Sequence, residues 1–140
     1  MSAPAFTLND MHTDKVHDLE DYKGKALMIT FWSSSSPDSQ RDLANKEKLY
    51  RAMQTDKFDM LMINVTGLEH KEQAAETYYK ENDFTFPVAK DDGTKIYDKY
   101  QCMSVPTTYL LDKDHEIVSR FNDKASFPQM LTTIGEVIAD

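Results

Sequence analysis

The chain has 140 residues, 16 basic against 24 acidic side chains, a formal charge of −8 and a hydrophobic fraction of 40%. A chain of this length buries roughly two-thirds of its unfolded surface, enough for one domain over 1–140 without disulfide staples or a structural metal. The acidic balance, with no Lys/Arg cluster, argues against nucleic acid or an anionic membrane surface as partner; the lone Cys102 excludes an internal disulfide, and no apolar run approaches the roughly 18 residues of a membrane span.

The first twenty-five residues carry short apolar patches, Phe6-Thr7-Leu8 and Val16, around a polar segment, a pattern of a β-hairpin or two short strands. Leu19, Tyr22 and Gly24 predict a short helical turn ended by glycine. Ala26 to Trp32 is nearly continuously apolar and of strand length, as expected for a central strand covered on both faces. Pro37 suits a first helical turn, Ser36 its N-cap and Asp38 the positive end of the helix dipole. Leu43, Tyr50 and Met53 then recur with charged residues between them, predicting an amphipathic helix from Ser39 to Thr55.

Met60 to Val65 reads as a second buried strand ended by Gly67, and Ala75, Tyr78 and Tyr79 give the next helix a modest apolar stripe. Phe84 to Val88 is a short extended piece, and Ile96, Tyr97 and Tyr100 sit at helical spacing. Val105 to Asp112 is a strand entered through a proline; Lys113-Asp114 turns it into the strand Glu116 to Phe121, an antiparallel hairpin. Phe127, Met130, Leu131, Ile134, Val137 and Ile138 predict a final helix packed across the sheet. The sum is an α/β sandwich whose mixed sheet has parallel early strands and an antiparallel last hairpin. His12, His17, His70 and His115 show no metal-ligand spacing, so neither a metal nor a cofactor is expected.

Phe31-Trp32 followed by a proline-containing helix start, together with Val105-Pro106-Thr107-Thr108, resembles the thioredoxin superfamily. The opening Ala3 to Leu8, the Asp21-Tyr22-Lys23-Gly24-Lys25 before the first long strand, and Phe86-Pro87-Val88 are similar to its extracytoplasmic thiol-disulfide oxidoreductases, the branch that includes the cytochrome-maturation proteins. The resemblance covers about the whole chain. It implies a thioredoxin-like sandwich, a central mixed β-sheet flanked by helices with an N-terminal hairpin extension. It also implies an extracytoplasmic location, although Met1-Ser2-Ala3-Pro4 does not look like a leader and composition alone suits the cytoplasm equally.

That branch carries Phe-Trp-x-x-x-Cys-x-x-Cys; here the pattern runs from Phe31-Trp32 to Ser36-Pro37-Asp38-Ser39, with serine at both cysteine positions. A helix N-terminus lowers a cysteine pKa and makes a nucleophilic thiolate, and a second cysteine three residues on resolves the mixed disulfide. Serine does neither. The resemblance therefore implies an oxidoreductase domain acting on protein thiols and disulfides, in a redox-inactive cysteine-to-serine form. It also implies a redox partner protein and allows a membrane tether outside this chain. The alternative is a naturally redox-dead peptide-binding or chaperone domain. Ser36 and Ser39 stand at the catalytic positions; Trp32, Pro37, Asp38, Val105 and Pro106 line the implied substrate groove, with Pro106 cis so that the Val105 backbone pairs with an extended peptide.

Plainer readings compete. Ser36 and Ser39 alone read as an N-cap and an exposed first-turn serine, Trp32 as a core residue at a strand end, and Pro106 as a strand-entry proline. Cys102 reads as a small buried hydrophobe. Serine-hydrolase chemistry lacks a Gly-x-Ser-x-Gly elbow and a placed base. A peroxiredoxin wants a Pro-x-x-x-Thr/Ser-x-x-Cys loop, and with Ser36 in the cysteine place the proline position is Ile29. Glu69 follows the second long strand, and no role is assigned to it.

Overall fold

The computed structural model describes residues 1–53 and 55–139. Two short strands open the chain, β1 (Thr7–Asp10) and β2 (Val16–Asp18), followed by a 3₁₀ turn at Leu19–Tyr22. Gly24 next adopts φ 93°, a left-handed conformation that glycine takes without a Cβ clash. The central strand β3 (Ala26–Trp32) leads into helix α1 (Pro37–Ala52), then β4 (Phe58–Asn64). Helix α2 (Ala74–Glu81), strand β5 (Val88–Lys90) and helix α3 (Lys95–Lys99) follow. The chain closes with β6 (Thr107–Leu111), β7 (Ile117–Phe121) and helix α4 (Phe127–Ile138).

All seven strands form one sheet in the order β2-β1-β5-β4-β3-β6-β7. The pairs β3–β4 and β4–β5 are parallel, and β3–β6 and β6–β7 antiparallel, the mixed sheet that the sequence predicts. The N-terminal hairpin is no loose extension: β1 pairs antiparallel with β5 through Asn9 and Asp10, adding two strands to one edge.

Every residue of β3 is buried because the strand is sandwiched. Strand pleating sends alternate side chains to opposite faces. Leu27, Ile29 and Phe31 join Leu61, Ile63, Tyr109 and the α3 residues Ile96 and Tyr97. Met28 and Trp32 face the other way, against Met60, Met62, Leu110, Leu43 and Leu49 of α1 and Met130 and Ile134 of α4.

Several boundaries differ from the sequence reading. Helix α1 ends at Ala52, with Met53 capping it rather than continuing to Thr55; Gln54, inside the expected helix, lies outside the described residues. Strand β6 starts at Thr107, because proline has no N–H to offer the ladder and the Thr107 hydroxyl donates back to the Ser104 carbonyl at 2.6 Å. The extended piece at Phe84 to Val88 pairs only from Val88, since Phe84 and Phe86 instead stack in an aromatic cluster with Tyr79.

Candidate functional site

The sheet register gathers the site at one end of the interior strands β4, β3 and β6. Strand β3 ends at Trp32 and β4, parallel to it, at Asn64; β6 runs the other way and begins with Thr107 opposite Phe31. The β3–α1 loop, the segment after β4 and the segment before β6 therefore meet at the same place. The Val105–Pro106 peptide bond in that last segment is cis.

Ser36 caps α1: its Oγ accepts the Ser39 N–H at 3.1 Å, and Pro37 occupies the first helical turn. The Ser36 hydroxyl donates to the Val105 carbonyl at 3.3 Å, so the helix start and the cis-proline segment are in direct contact. Ser36 and Val105 are half-buried and Pro106 is buried. Pro37 is exposed, and Asp38 is half-exposed and ion-paired with Arg41 one turn on.

Two residues sit differently from the sequence expectation. Ser39 is fully buried rather than an exposed first-turn serine; its Oγ accepts the Ser33 N–H at 3.3 Å. Trp32, expected to line the substrate groove, has its side chain wholly in the core beside Tyr78, because the pleat turns position 32 toward the helical layer. It backs the site without reaching its surface, and its indole N–H has no hydrogen-bond partner among the described residues.

The serine run is tied down, and Glu69 does much of the tying. The Glu69 carboxylate accepts the Ser34 N–H at 2.7 Å and the Asn64 amide at 2.8 Å, and also the Ser34 hydroxyl. The Ser33 and Ser35 hydroxyls donate to the Leu68 carbonyl at 3.1 and 3.0 Å. Gly67, just before Leu68 and Glu69, lets the Thr66–Leu68 turn pack against the segment ahead of α3: a Cβ there would stand 2.8 Å from the Thr94 methyl and 3.0 Å from the Gly93 backbone. Sequence reasoning assigned Glu69 nothing; its partner in the serine run, Ser34, lies thirty-five residues away in the chain.

A second missed feature lies behind the site. Lys46 of α1 is fully buried, its Nζ donating to Thr30 Oγ1 at 2.9 Å, Thr108 Oγ1 at 3.0 Å and Asp42 at 2.8 Å. The available signal is a lysine three residues after Leu43, inside the stripe of α1 that faces the sheet.

Cys102 is buried on the opposite side of the sheet from Trp32, in the layer holding Tyr97, Tyr100 and Tyr109. Burial pushes its thiol up to about 12, outweighing Arg120 and the Thr107 hydrogen bond. It offers no nucleophile at neutral pH. No group of three or more His, Cys, Asp or Glu residues that could hold a metal occurs among the described residues, and none of their helices is long and apolar enough to cross a membrane.

The AhpC/TSA family model matches residues 1–120. The chain belongs to that family. It is 30% identical over 118 residues to a thiol-disulfide oxidoreductase ResA of Bacillus cereus, covering 84% of this chain and 66% of the relative. It is 28% identical over 95 residues to the sporulation thiol-disulfide oxidoreductase A of Bacillus subtilis (strain 168), covering 68% of this chain and 58% of that protein. The chain thus matches somewhat under two-thirds of the length of both relatives. Its fold is similar to the crystal structure of the pneumococcal exposed lipoprotein thioredoxin Etrx1 from Streptococcus pneumoniae strain TIGR4. That match has TM-score 0.83 and 26% identity over 95% of this chain and 99% of the other. The thioredoxin-like fold expected from the sequence is therefore the fold of this family member. Ile29, in the proline position of the peroxiredoxin loop, lies instead in the middle of β3.

Proposed function

We propose that this chain is a thioredoxin-like thiol-disulfide oxidoreductase domain in redox-inactive form, with Ser36 and Ser39 in the places of the attacking and resolving sulfurs. The observation that carries the reading is the contact between Ser36, at the N-terminus of a sixteen-residue helix, and the Val105 carbonyl beside cis-Pro106. The helix end supplies partial positive charge where a thiolate would form. The Val105 edge supplies backbone groups for an extended peptide, and half-buried Ser36 lies within reach of it. Buried Ser39 lies one turn on, accessible to its neighbour and not to a large substrate.

With sulfur at both positions the electrons balance as follows. A thiolate at 36 attacks one sulfur of a protein disulfide, forming a mixed disulfide and releasing the other sulfur as thiolate. The thiolate at 39 then attacks the sulfur at 36, releasing the second substrate thiolate. The substrate gains two electrons, and the domain ends with a 36–39 disulfide. A serine hydroxyl stays protonated and forms no disulfide, so the chain as it stands halts before the first step. Docking at Val105 is unaffected by that loss. The partners are protein thiols and disulfides, plus a redox partner protein that regenerates the dithiol. An extracytoplasmic site of action, with any tether outside this chain, agrees with its likeness to an exposed lipoprotein.

The test is reduction of insulin disulfides by the S36C/S39C variant. The parent chain is expected to be inert and the variant active. A variant that folds like the parent, contains both thiols and remains inert would overturn the reading and leave a peptide-binding domain in its place.

A further inference from the structure

Apart from the first residue of the chain, Met103 is the most exposed large apolar side chain among the described residues, at 86% against 45% for the next, Val16. Single exposed apolar side chains are ordinary on a protein surface; the placing of this one is not. It stands two residues before Val105 and three before cis-Pro106, so at most about 7 Å of chain separates it from the docking edge.

The backbone on both sides of Met103 is held. The Gln101 carbonyl accepts from Arg120 at 3.2 Å, and the Cys102 N–H donates to the Tyr97 carbonyl at 3.1 Å while its side chain turns into the tyrosine layer. The Ser104 carbonyl accepts the Thr107 hydroxyl at 2.6 Å, and the Val105 carbonyl the Ser36 hydroxyl at 3.3 Å. Cys102 takes the inward place, and Met103 is left in solvent on a fixed loop.

The surface around position 36 is apolar as well. Pro37 is exposed and Val105 half-buried beside it, in a chain of which 29% is charged, and the next charged residue along α1, Asp38, is paired with Arg41. A polar side chain laid on such a surface gives up water for no partner, whereas an apolar one gains by leaving it. The unbranched thioether adapts to apolar groups of different shape.

We propose that Met103 is a specificity-determining residue of this groove: it packs on an apolar side chain within two residues of the substrate cysteine. It thereby selects cysteines in apolar segments, which folded proteins bury and unfolded or partly folded ones expose, over cysteines in polar loops. The inference rests on the thiol-disulfide reading above and names the substrate class for it.

The experiment uses the S36C variant, with Ser39 in place, and two peptides whose single cysteine is joined to thionitrobenzoate and flanked on each side by two leucines or by two serines. The thiolate at 36 attacks the peptide sulfur, forms the mixed disulfide and expels the coloured thionitrobenzoate anion, which gives the rate. S36C is expected to react about fivefold faster with the leucine peptide, the scale of partly burying a leucine on an exposed apolar group. Adding M103S should bring that preference under about twofold, and adding M103L should keep it. Reaction with the small disulfide dithiobis(nitrobenzoate) should be the same in all three, because the thiol itself is untouched. Circular dichroism checks the fold, which an exposed side chain does not carry. A preference under about twofold in S36C, or one still above about twofold after M103S, would overturn the role of Met103 and leave the docking reading standing. S36C that reacts with the small disulfide and with neither peptide would instead refute docking at position 36, and this inference with it.

Discussion

Unfolding the chain should expose the reactivity of its one thiol. Cys102 is packed among Tyr97, Tyr100 and Tyr109, and burial pushes its pKa from the ordinary 9.0 up to about 12 despite the opposing pull of Arg120 and the Thr107 hydroxyl. Only the thiolate reacts at an appreciable rate. At pH 8 a thiol of pKa about 12 is ionised to about one part in ten thousand, against about one in ten at 9.0, so ionisation alone slows alkylation about a thousandfold. Steric shielding slows it further. The assay follows maleimide incorporation by mass at pH 8, in buffer and in concentrated guanidinium chloride, with a model thiol correcting for the solvent. A native rate at least about a thousandfold below the denatured rate is expected. A ratio under about ten would refute the packing argument, because a thiol that accessible is not held in the tyrosine layer.

Three further outcomes follow from the same contacts. Ser36→Ala removes the cap that accepts the Ser39 N–H and should cost about 1 kcal/mol in urea unfolding, with Ser36→Asp retaining most of it; an unchanged midpoint for Ser36→Ala would show the cap idle. Gly67→Ala drives a methyl against Thr94 and Gly93 and should cost about 1–3 kcal/mol, as overpacking does; no loss of stability would mean that the Leu68–Glu69 segment yields freely. Burial alone would raise the Glu47 pKa, but hydrogen bonds from the Thr85 hydroxyl and N–H and from Arg51 hold it below 4.5. Its contribution is then present above the unfolded value and lost as pH falls through the folded one, so Glu47→Gln should flatten the fall in melting temperature below pH 4.5, where parallel curves would contradict this.

Much of the architecture is legible in the sequence because its signals are local. The apolar run Ala26 to Trp32 marks a sandwiched strand, and the Ser36-Pro37 pair marks a helix start, since cap and first-turn preferences act over three or four residues. The site is legible only where a motif spans it. Glu69 binds Ser34, and Lys46 binds Thr30 and Thr108, across gaps that no periodicity reports. The burial of Trp32 and Ser39 depends on which way the pleat and the helix face point once neighbours are in place. The union of the N-terminal hairpin with the main sheet rests on two residue pairs between β1 and β5, distant in the chain.

The central claim is that position 36 is where a substrate sulfur is attacked, beside a docking edge at Val105. Its most direct test is covalent trapping by the S36C variant, with Ser39 left in place so that nothing resolves the adduct. Incubated with a disulfide-bonded extended peptide at pH 7, the folded variant is expected to accumulate a one-to-one mixed disulfide that peptide mapping assigns to position 36. No adduct on the folded variant, or an adduct at Cys102 instead, would contradict the account.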